Sequence, residues 1–454
     1  MGRRVGLCGI MCSPRGVLGW LLGITLTLVI LSLSKGPIPM EVGLVINRFC
    51  PSLWHDMKVR NVFALKKQME MNFSNQAIIK KSYNCSSLIN PINDPSAIPE
   101  GVPLAFSIVF HRELSVLATQ LDMLVNGARH AFCIHVDAKA KPIIRDSVHR
   151  MANCYRQRYP GITIIVPNDT IPVYWGHFSL LQSDLLCGRR LYDSDHDWQY
   201  MMSIAGTELP SVPLSILESK LLSLNGRSII PSATPSGPHF HERFSHVWEL
   251  DLKPTTYSRP NRISGGDDPK RQPKMTQSKI VKIPPPHNLV ILKGMRNVIL
   301  NRTMVAFIHF HPVAKNFLQW MSNSMIPEEG FYATLARVRI YQDEFVTQDL
   351  EAPNDEEILV PRLAFWEGHS DPCFGGYVHD VCNFNTQDIP NLVNATQFQT
   401  FLFLNKFEAT KDPLAPICWR SHVESRLSLI PELHSTAVKG SSLDFSDMKI
   451  NYNT

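Results

Sequence analysis

Two adjacent carboxylates, Glu328 and Glu329, lie in the segment SNSMIPEEGFYATL, which spans residues 322–335. Paired carboxylates are candidates for acid–base chemistry. However, Pro327 suits the first turn of a helix, and acidic side chains in that turn complement the positive end of the helix dipole. From spacing alone, helix capping is the favoured interpretation of this pair.

A third carboxylate, Asp137, ends a predicted strand in HVDAK (135–139). It could accept hydrogen bonds from a sugar or ribose hydroxyl, although turn formation is the commoner role of an aspartate at a strand end. No Asp-x-Asp triplet follows the early strands, so no carboxylate pair is predicted to hold a divalent metal on a nucleotide diphosphate. The histidines of HFHERFSH (239–246) lack a matched second pair of zinc ligands. We therefore expect no metal and no resident cofactor.

The elements that must position these side chains alternate between strand and helix. Short apolar runs rich in β-branched residues predict strands, and the longer amphipathic segments between them predict helices. This alternation predicts an α/β fold whose mostly parallel sheet has crossover helices, with ligands bound at the carboxyl ends of its strands. In chain order the segments are LAFSIVF (104–110), ELSVLATQLDMLV (113–125), HAFCIHVD (130–137), ITIIVP (162–167), FSLLQSDLLCGRRLY (178–192) and QYMMSIAG (199–206).

Later segments are less regular. Residues 253–286 are rich in Pro, Lys and Arg and are expected to form an exposed loop, with polyanion binding as the alternative. NLVILKGMRNVILNRTMVAFI (288–308) predicts a strand and a turn leading into a helix. The polar segment from Lys439 to the end is typical of a disordered tail.

An uncharged apolar run, Val17–Ser34, is long enough to cross a bilayer as a helix. Three arginines precede it, Arg3, Arg4 and Arg15, so the positive-inside rule predicts a cytoplasmic N-terminus and a lumenal chain. A cleaved signal peptide is the alternative. The expected organisation is a cytoplasmic tail (1–16), an anchor (17–34), a stem (35–100), a lumenal domain (101–435) and a disordered tail (436–454).

The composition fits a folded domain in an oxidising compartment. Hydrophobic residues make up 44% of the chain and charged residues 19%, and the net charge of +5 is too small to indicate nucleic-acid binding. Eight cysteines follow the anchor and fit four disulfides, although their number allows about 105 pairings. Expected N-glycosylation sites are Asn72, Asn84, Asn168 and Asn394, whereas the sequon at Asn301 is expected to be too buried.

A set of motifs in a fixed order resembles the core 2/I-branching β1,6-N-acetylglucosaminyltransferase family. The motifs are SIVFHRE, FCIHVDAK, VYWGHFSLLQSDLLC, SIAGTELP, KGMRNVILNR, PEEGFYATL, VCNF and NKFEATKDP, and the resemblance covers residues 85–420. It implies a Golgi type II membrane enzyme with a GT-A-like, Rossmann-type sheet flanked by helices. It also implies metal-independent, inverting transfer of N-acetylglucosamine (GlcNAc) from UDP-GlcNAc to a galactose or GalNAc 6-hydroxyl, as in O-glycan branching.

The resemblance also implies roles for single residues. Glu329 corresponds to the catalytic base. The residues that correspond to donor-binding positions are Asp137, Trp175, His379 and Lys406, and those that correspond to acceptor-binding positions are Arg243 and Trp366.

Three positions depart from the family pattern: His379 replaces an arginine, Glu208 an aspartate and Phe240 a lysine. Two alternatives to the leading function stay open: a related Golgi transferase using another UDP-sugar such as UDP-xylose, and a catalytically silent, glycan-binding relative. The disulfides implied by the resemblance join Cys50 to Cys418, Cys85 to Cys154, Cys133 to Cys187 and Cys373 to Cys382.

Overall fold

The structure is a computed structural model. The residues described are 50–51, 62–85, 88–89, 101–235, 238–252, 273–338, 345–346, 359–369, 371–396 and 401–429. They belong to one compact unit that begins at Cys50. The predicted anchor, Val17–Ser34, and the predicted tail from 436 lie outside them, and no helix within the described ranges is long and apolar enough to cross a membrane.

Helices and strands alternate through the first half of the unit, as the sequence predicts. The helices in the described ranges are α1 Val62–Phe73, α2 Asn75–Lys81, α3 Leu114–Leu124, α4 Pro142–Arg158, α5 Ser179–Tyr192, α6 Leu214–Leu222, α7 Pro238–Ser245, α8 Arg302–Phe310, α9 Pro312–Met321, α10 Glu328–Leu335, α11 Ile389–Thr396 and α12 Leu414–Ser425. The strands there are β1 Leu104–Phe110, β2 Ala131–Val136, β3 Thr163–Ile165, β4 Tyr200–Ala205, β5 Glu208–Pro210, β6 Ser228–Ile229, β7 Ser232–Ala233, β8 His246–Asp251, β9 Lys274–Val281, β10 Lys293–Gly294, β11 Ile299–Asn301, β12 Phe345–Val346, β13 Val360–Leu363, β14 Tyr377–Val378, β15 Val381–Cys382 and β16 Phe401–Asn405.

The central sheet has the strand order β12-β6-β11-β4-β1-β2-β3. Strands β4, β1, β2 and β3 run parallel, whereas β11 runs antiparallel to both β4 and β6. Parallel neighbours require crossover connections, which α3, α4 and α5 supply. The α/β prediction is therefore confirmed, and the carboxyl ends of β1, β2 and β4 meet at one edge of the sheet.

Burial on both faces explains why β1 is apolar along its length. Phe106 and Ile108 face one hydrophobic cluster with Leu117 of α3, and Ala105 faces a second cluster with Leu181 of α5. A strand buried on both sides reads as a continuous apolar run instead of an alternating one. A third cluster, around β16 and α12, packs against the far side of α3.

Three local predictions need correction. Helix α4 was not predicted, although its buried residues Ile144, Val148, Met151 and Tyr155 follow helical spacing. Residues 274–281, expected to lie in an exposed loop, form β9, which pairs with β8 because cross-strand partners outweigh their polar composition. Helices α1 and α2 lie within the predicted irregular stem, and Asn75 Nδ2 donates to Arg112 O at 2.9 Å.

The four disulfides are confirmed pair by pair: Cys50–Cys418, Cys85–Cys154, Cys133–Cys187 and Cys373–Cys382. Asn301 is buried at the start of α8, where Oδ1 accepts from Met304 N and Nδ2 donates to Gly226 O, each at 2.7 Å. Its amide is therefore engaged inside the protein. Asn84, Asn168 and Asn394 are exposed, and Asn72 is half-buried.

Candidate active site

Glu329 lies in the first turn of α10 and contacts Arg243, which α7 supplies. Arg243 Nη1 lies 2.6 Å from Glu329 Oε2, and the two side chains are 27% and 32% exposed. The carboxylate is thus held by a cation and still reaches solvent. This geometry lets Glu329 meet a ligand from outside.

Glu328 precedes Glu329 but points into the protein. Its residue is 6% exposed, and its Oε2 has no hydrogen-bond partner within the described ranges. Burial raises the pKa of Glu328 to about 8, its backbone N–H opposes that shift and the neighbouring charge of Glu329 adds to it. Glu328 is therefore protonated at neutral pH, so the expectation that both glutamates complement the helix dipole is wrong for this one.

The turn before α10 brings the segment around Trp175 to the same place. Ile326 N donates to Gly176 O at 2.7 Å, and Met325 N donates to Arg243 O at 3.2 Å. Trp175 is 57% exposed and stacks on His379, with ring centroids 6.1 Å apart and an interplanar angle of 14°. Two residues implied to bind the donor are thus in contact, next to the helix that carries Glu329.

A tight hairpin presents His379. Strands β14 and β15 pair Tyr377 with Cys382 and Val378 with Val381, which leaves His379 and Asp380 as a two-residue turn. Both turn residues have positive φ, 53° and 64°, as a type I′ hairpin turn requires. The Cys373–Cys382 disulfide ties this hairpin to the preceding loop.

Lys406 supports the same hairpin from the end of β16. Its Nζ donates to Val378 O at 3.0 Å, and its carbonyl accepts from Phe384 N at 2.8 Å. Burial lowers the pKa of Lys406 to about 8, against the opposing charge of Glu408. The ammonium is charged at neutral pH, and it bonds to the carbonyl of Val378, the residue before His379.

Asp137 follows the carboxyl end of β2 and is nearly buried. Oδ1 accepts from Lys139 N at 2.8 Å, the side-chain-to-backbone bond of an aspartate turn, and Oδ2 lies 2.6 Å from Lys139 Nζ. Lys139 Nζ also donates to Val173 O and lies 4.4 Å from the centre of the Tyr174 ring. Asp137 therefore forms a turn and is linked through Lys139 to the segment that holds Trp175.

The two remaining residues discussed for the acceptor side differ in position. Trp366 is 39% exposed and forms an isolated bridge with Val381, which places it against the hairpin of His379. Phe240, on the same helix as Arg243, is 6% exposed and packs on Phe244 with ring centroids 4.9 Å apart. Phe240 therefore contributes to the core where the family pattern has a cation.

A buried ionic network, to which sequence reasoning assigned no role, lies beneath these residues. Arg296 Nε and Nη2 donate to Asp184 at 2.7 and 2.8 Å, a bidentate pair that burial makes costly to break. Arg362 Nη1 lies 3.6 Å from Glu208 Oε1. Burial raises the pKa of Glu208, and Arg362 and then Arg296 oppose the rise. A polar residue inside a buried apolar segment, such as Asp184 in SLLQSDLLC, is the signal that could have found the network.

One group of side chains in the described ranges has the spacing of metal ligands: Cys373, Cys382 and Asp388. The two sulfurs form a disulfide, and the Asp388 carboxylate accepts from the backbone N–H groups of Phe374, Gly375 and Asn385. Its donors are committed to the fold, so this group is structural.

Fold and site together define an α/β protein in which a partly exposed carboxylate, two aromatic rings and several cations gather beside the carboxyl edge of the sheet. The chain belongs to the Core-2/I-branching enzyme family, whose model matches residues 104–393.

Curated relatives cover most of the same region. One is a mouse beta-1,3-galactosyl-O-glycosyl-glycoprotein beta-1,6-N-acetylglucosaminyltransferase 4, 26% identical over 72% of this chain and 67% of the relative. A second is a mouse N-acetyllactosaminide beta-1,6-N-acetylglucosaminyl-transferase, 27% identical over 71% and 73%. A third is a human probable beta-1,3-galactosyl-O-glycosyl-glycoprotein beta-1,6-N-acetylglucosaminyltransferase 7, which is 28% identical over 74% of this chain and 72% of the relative.

Similarity to solved structures is weak. Mouse xyloside xylosyltransferase 1 in its apo form shares 12% identity and a TM-score of 0.29, covering 60% of this chain and 92% of that one. A score this low supports no conclusion.

Proposed function

We propose that this protein is an inverting glycosyltransferase that transfers GlcNAc from UDP-GlcNAc in β1,6 linkage to a galactose- or GalNAc-containing acceptor of O-glycans. The observation that carries the proposal is the partly exposed Glu329 carboxylate, held by Arg243 beside the Trp175–His379 stack. Family membership and the names of the relatives support this assignment.

In the proposed reaction Glu329 is the general base. It accepts the proton of the acceptor 6-hydroxyl as that oxygen attacks the anomeric carbon of the donor sugar. The new carbon–oxygen bond forms while the bond to the UDP phosphate breaks, and the electron pair leaves with UDP. A single displacement inverts the anomeric centre.

The leaving UDP gains negative charge, which fixed cations must stabilise. Protonated His379, in the turn between β14 and β15, and Lys406, which bonds to Val378 of that hairpin, are proposed to supply that charge. Asp137 and Trp175 are proposed to position the nucleotide and Trp366 the acceptor. We further propose a GT-A-like mode of donor binding that needs no metal, in a Golgi enzyme anchored by Val17–Ser34 in type II topology.

Two alternatives share the same site. A different UDP-sugar, such as UDP-xylose, would require another shape of donor pocket, and a silent glycan-binding relative would retain binding without transfer. The replacements at His379 and Phe240 favour the silent relative, whereas Glu329 and Lys406 favour an enzyme.

A panel assay separates these proposals. The purified protein is incubated with UDP-GlcNAc, UDP-GalNAc, UDP-glucose or UDP-xylose and β-galactoside or GalNAc acceptors, with EDTA or with manganese. We expect transfer from UDP-GlcNAc alone, unchanged by EDTA, and a product whose β1,6 linkage NMR identifies. Transfer only with manganese would refute metal independence, and binding of UDP-sugars without transfer would favour the silent relative.

A further inference from the structure

An apolar cleft of about 250 Å³ lies beside α7, the helix that supplies Arg243 to the candidate active site. Its walls come from α7, the segment after β9 and α9. The residues that form them include Phe240, Phe244, Ile283, Pro284, Pro285 and Trp320.

The cleft borders the Glu329–Arg243 pair directly. The Arg243 guanidinium lies 6.0 Å from the centre of the Phe240 ring, and Phe240 packs on Phe244. A Cβ added at Gly330 would lie 2.8 Å from the Phe244 ring, so Phe244 contacts the backbone next to Glu329. A ligand whose hydroxyl reaches Glu329 therefore has an apolar surface within reach.

Apolar side chains extend this surface into solvent. Ile280, Val281 and Ile283 are 60%, 68% and 77% exposed at the end of β9 and just after it. Contiguous exposed apolar residues next to a polar site are typical of ligand-binding surfaces.

Lys282 lies between these residues in the chain, but its ammonium is bound to other groups of the protein. Its Nζ donates to Trp320 O at 2.7 Å and to Ser324 Oγ at 2.6 Å, and lies 3.9 Å from the centre of the Trp320 ring. These contacts fix the floor of the cleft, and the rest of its lining is largely apolar.

We propose that this cleft binds the apolar aglycone of the acceptor, so that the protein favours glycosides whose sugar is joined to a hydrocarbon group. The inference rests on the proposed function, because it places the acceptor sugar at Glu329. The chemistry is burial of alkyl or aromatic surface against Phe244, Trp320 and Ile283.

The test compares methyl and n-octyl β-D-galactopyranoside, the latter below its micelle concentration, by calorimetry on the full chain with UDP present. We expect octyl galactoside to bind at least tenfold more tightly, because burying about two of its additional methylene groups suffices for that gain. Ile283→Ser should reduce the preference to threefold or less. Leu252→Ser is the matched control, because Leu252 is 62% exposed at the opposite end of the hairpin of β8 and β9, and it should keep the full preference.

Equal binding of both galactosides by the wild-type protein would overturn the inference, as would an equal loss in Ile283→Ser and Leu252→Ser. A change of oligomeric state in Ile283→Ser, measured by light scattering, would assign the surface to a second copy of the chain instead. Transfer to methyl galactoside without any octyl preference would leave the proposed function standing and remove only the cleft. Octyl binding that depends on Ile283, without transfer to either glycoside, would remove the proposed function and leave a glycoside-binding site.

Discussion

Adjacent residues of the same type have opposite roles in this site. Glu329 is partly exposed and bound to Arg243, whereas Glu328 is buried with a pKa of about 8. Only Glu329 offers a carboxylate to a ligand at neutral pH. The difference comes from the direction in which each side chain leaves the first turn of α10.

Glu329→Gln tests the base. The amide keeps the size of the side chain but cannot accept the acceptor proton, so we expect a loss of about 100-fold or more in kcat. Glu328→Gln is the control, since it replaces a neutral acid by a neutral amide, and it should retain most of the activity. If both variants turn over at the wild-type rate with unchanged stability, Glu329 is a capping residue.

Lys406 should make donor use depend on pH. Burial lowers its pKa to about 8, so its ammonium loses its charge as the pH rises through that value. We therefore expect kcat/KM for UDP-GlcNAc to fall with rising pH near 8. Lys406→Arg should remove this fall, because a guanidinium keeps its charge there, and His379→Arg should keep or raise the rate.

His379→Ala and Lys406→Ala complete this test: both should lower activity at every pH, and Lys406→Ala should weaken use of UDP-GlcNAc more than acceptor binding. An unchanged kcat/KM for UDP-GlcNAc in His379→Ala would remove His379 from the donor site.

At the scale of elements, the first turn of α10 departs from the general rule that acidic residues there are charged and stabilise the helix dipole. A charged glutamate in a first helical turn gains about 0.3–1 kcal/mol from the dipole. Glu328 does not interact with the dipole as an anion, because the desolvation of its buried carboxylate costs more free energy than the dipole would supply. Burial of the helix start therefore decides the protonation state of Glu328.

This reversal makes stability depend on pH. The folded protein holds the Glu328 proton up to about pH 8, whereas the unfolded chain releases it near 4.5, so folding is favoured at low pH and the advantage fades between these values. Glu328→Gln cannot lose a proton. Between pH 5 and pH 8 we expect the free energy of unfolding of wild type to fall relative to the variant by about 3 kcal/mol. Urea titrations at both values measure it, and parallel pH dependences of the two proteins would contradict the assignment.

At the scale of the whole molecule, two disulfides restrain different parts of the chain. Cys50–Cys418 spans 368 residues and joins the start of the compact unit to α12, whereas Cys373–Cys382 spans 9 residues and holds the hairpin of His379. The first restricts the unfolded chain far more, and the second restrains the candidate donor site.

Serine pairs in place of each bridge should therefore separate stability from donor use. In the chain-entropy model, removing Cys50–Cys418 costs about 6 kcal/mol and removing Cys373–Cys382 about 3 kcal/mol. We expect the larger fall in Tm for the first variant, with KM for UDP-GlcNAc unchanged, and a several-fold rise in that KM for the second. The reverse ranking of the two KM values would show that the short bridge does not support the donor site.

The amino-acid sequence by itself determined the alternation of strands and helices, because apolar periodicity reflects local burial. Its motifs also indicated the family and, through it, the cysteine pairs and a set of candidate site residues. Polar strand β9 and helices α1 and α2 were not predicted, because their formation depends on partners distant in the chain. Helix α4 was not predicted although its buried residues follow helical spacing.

Only the tertiary structure decided how the site residues are arranged. The stacking of His379 on Trp175 and the pairing of Glu329 with Arg243 join segments far apart in sequence. The protonation of Glu328 depends on its burial, which cannot be inferred from the neighbouring residues in PEEGFYATL. Contacts between distant segments and the local dielectric environment are properties of the packed fold, which is why residue types and spacing could not give them.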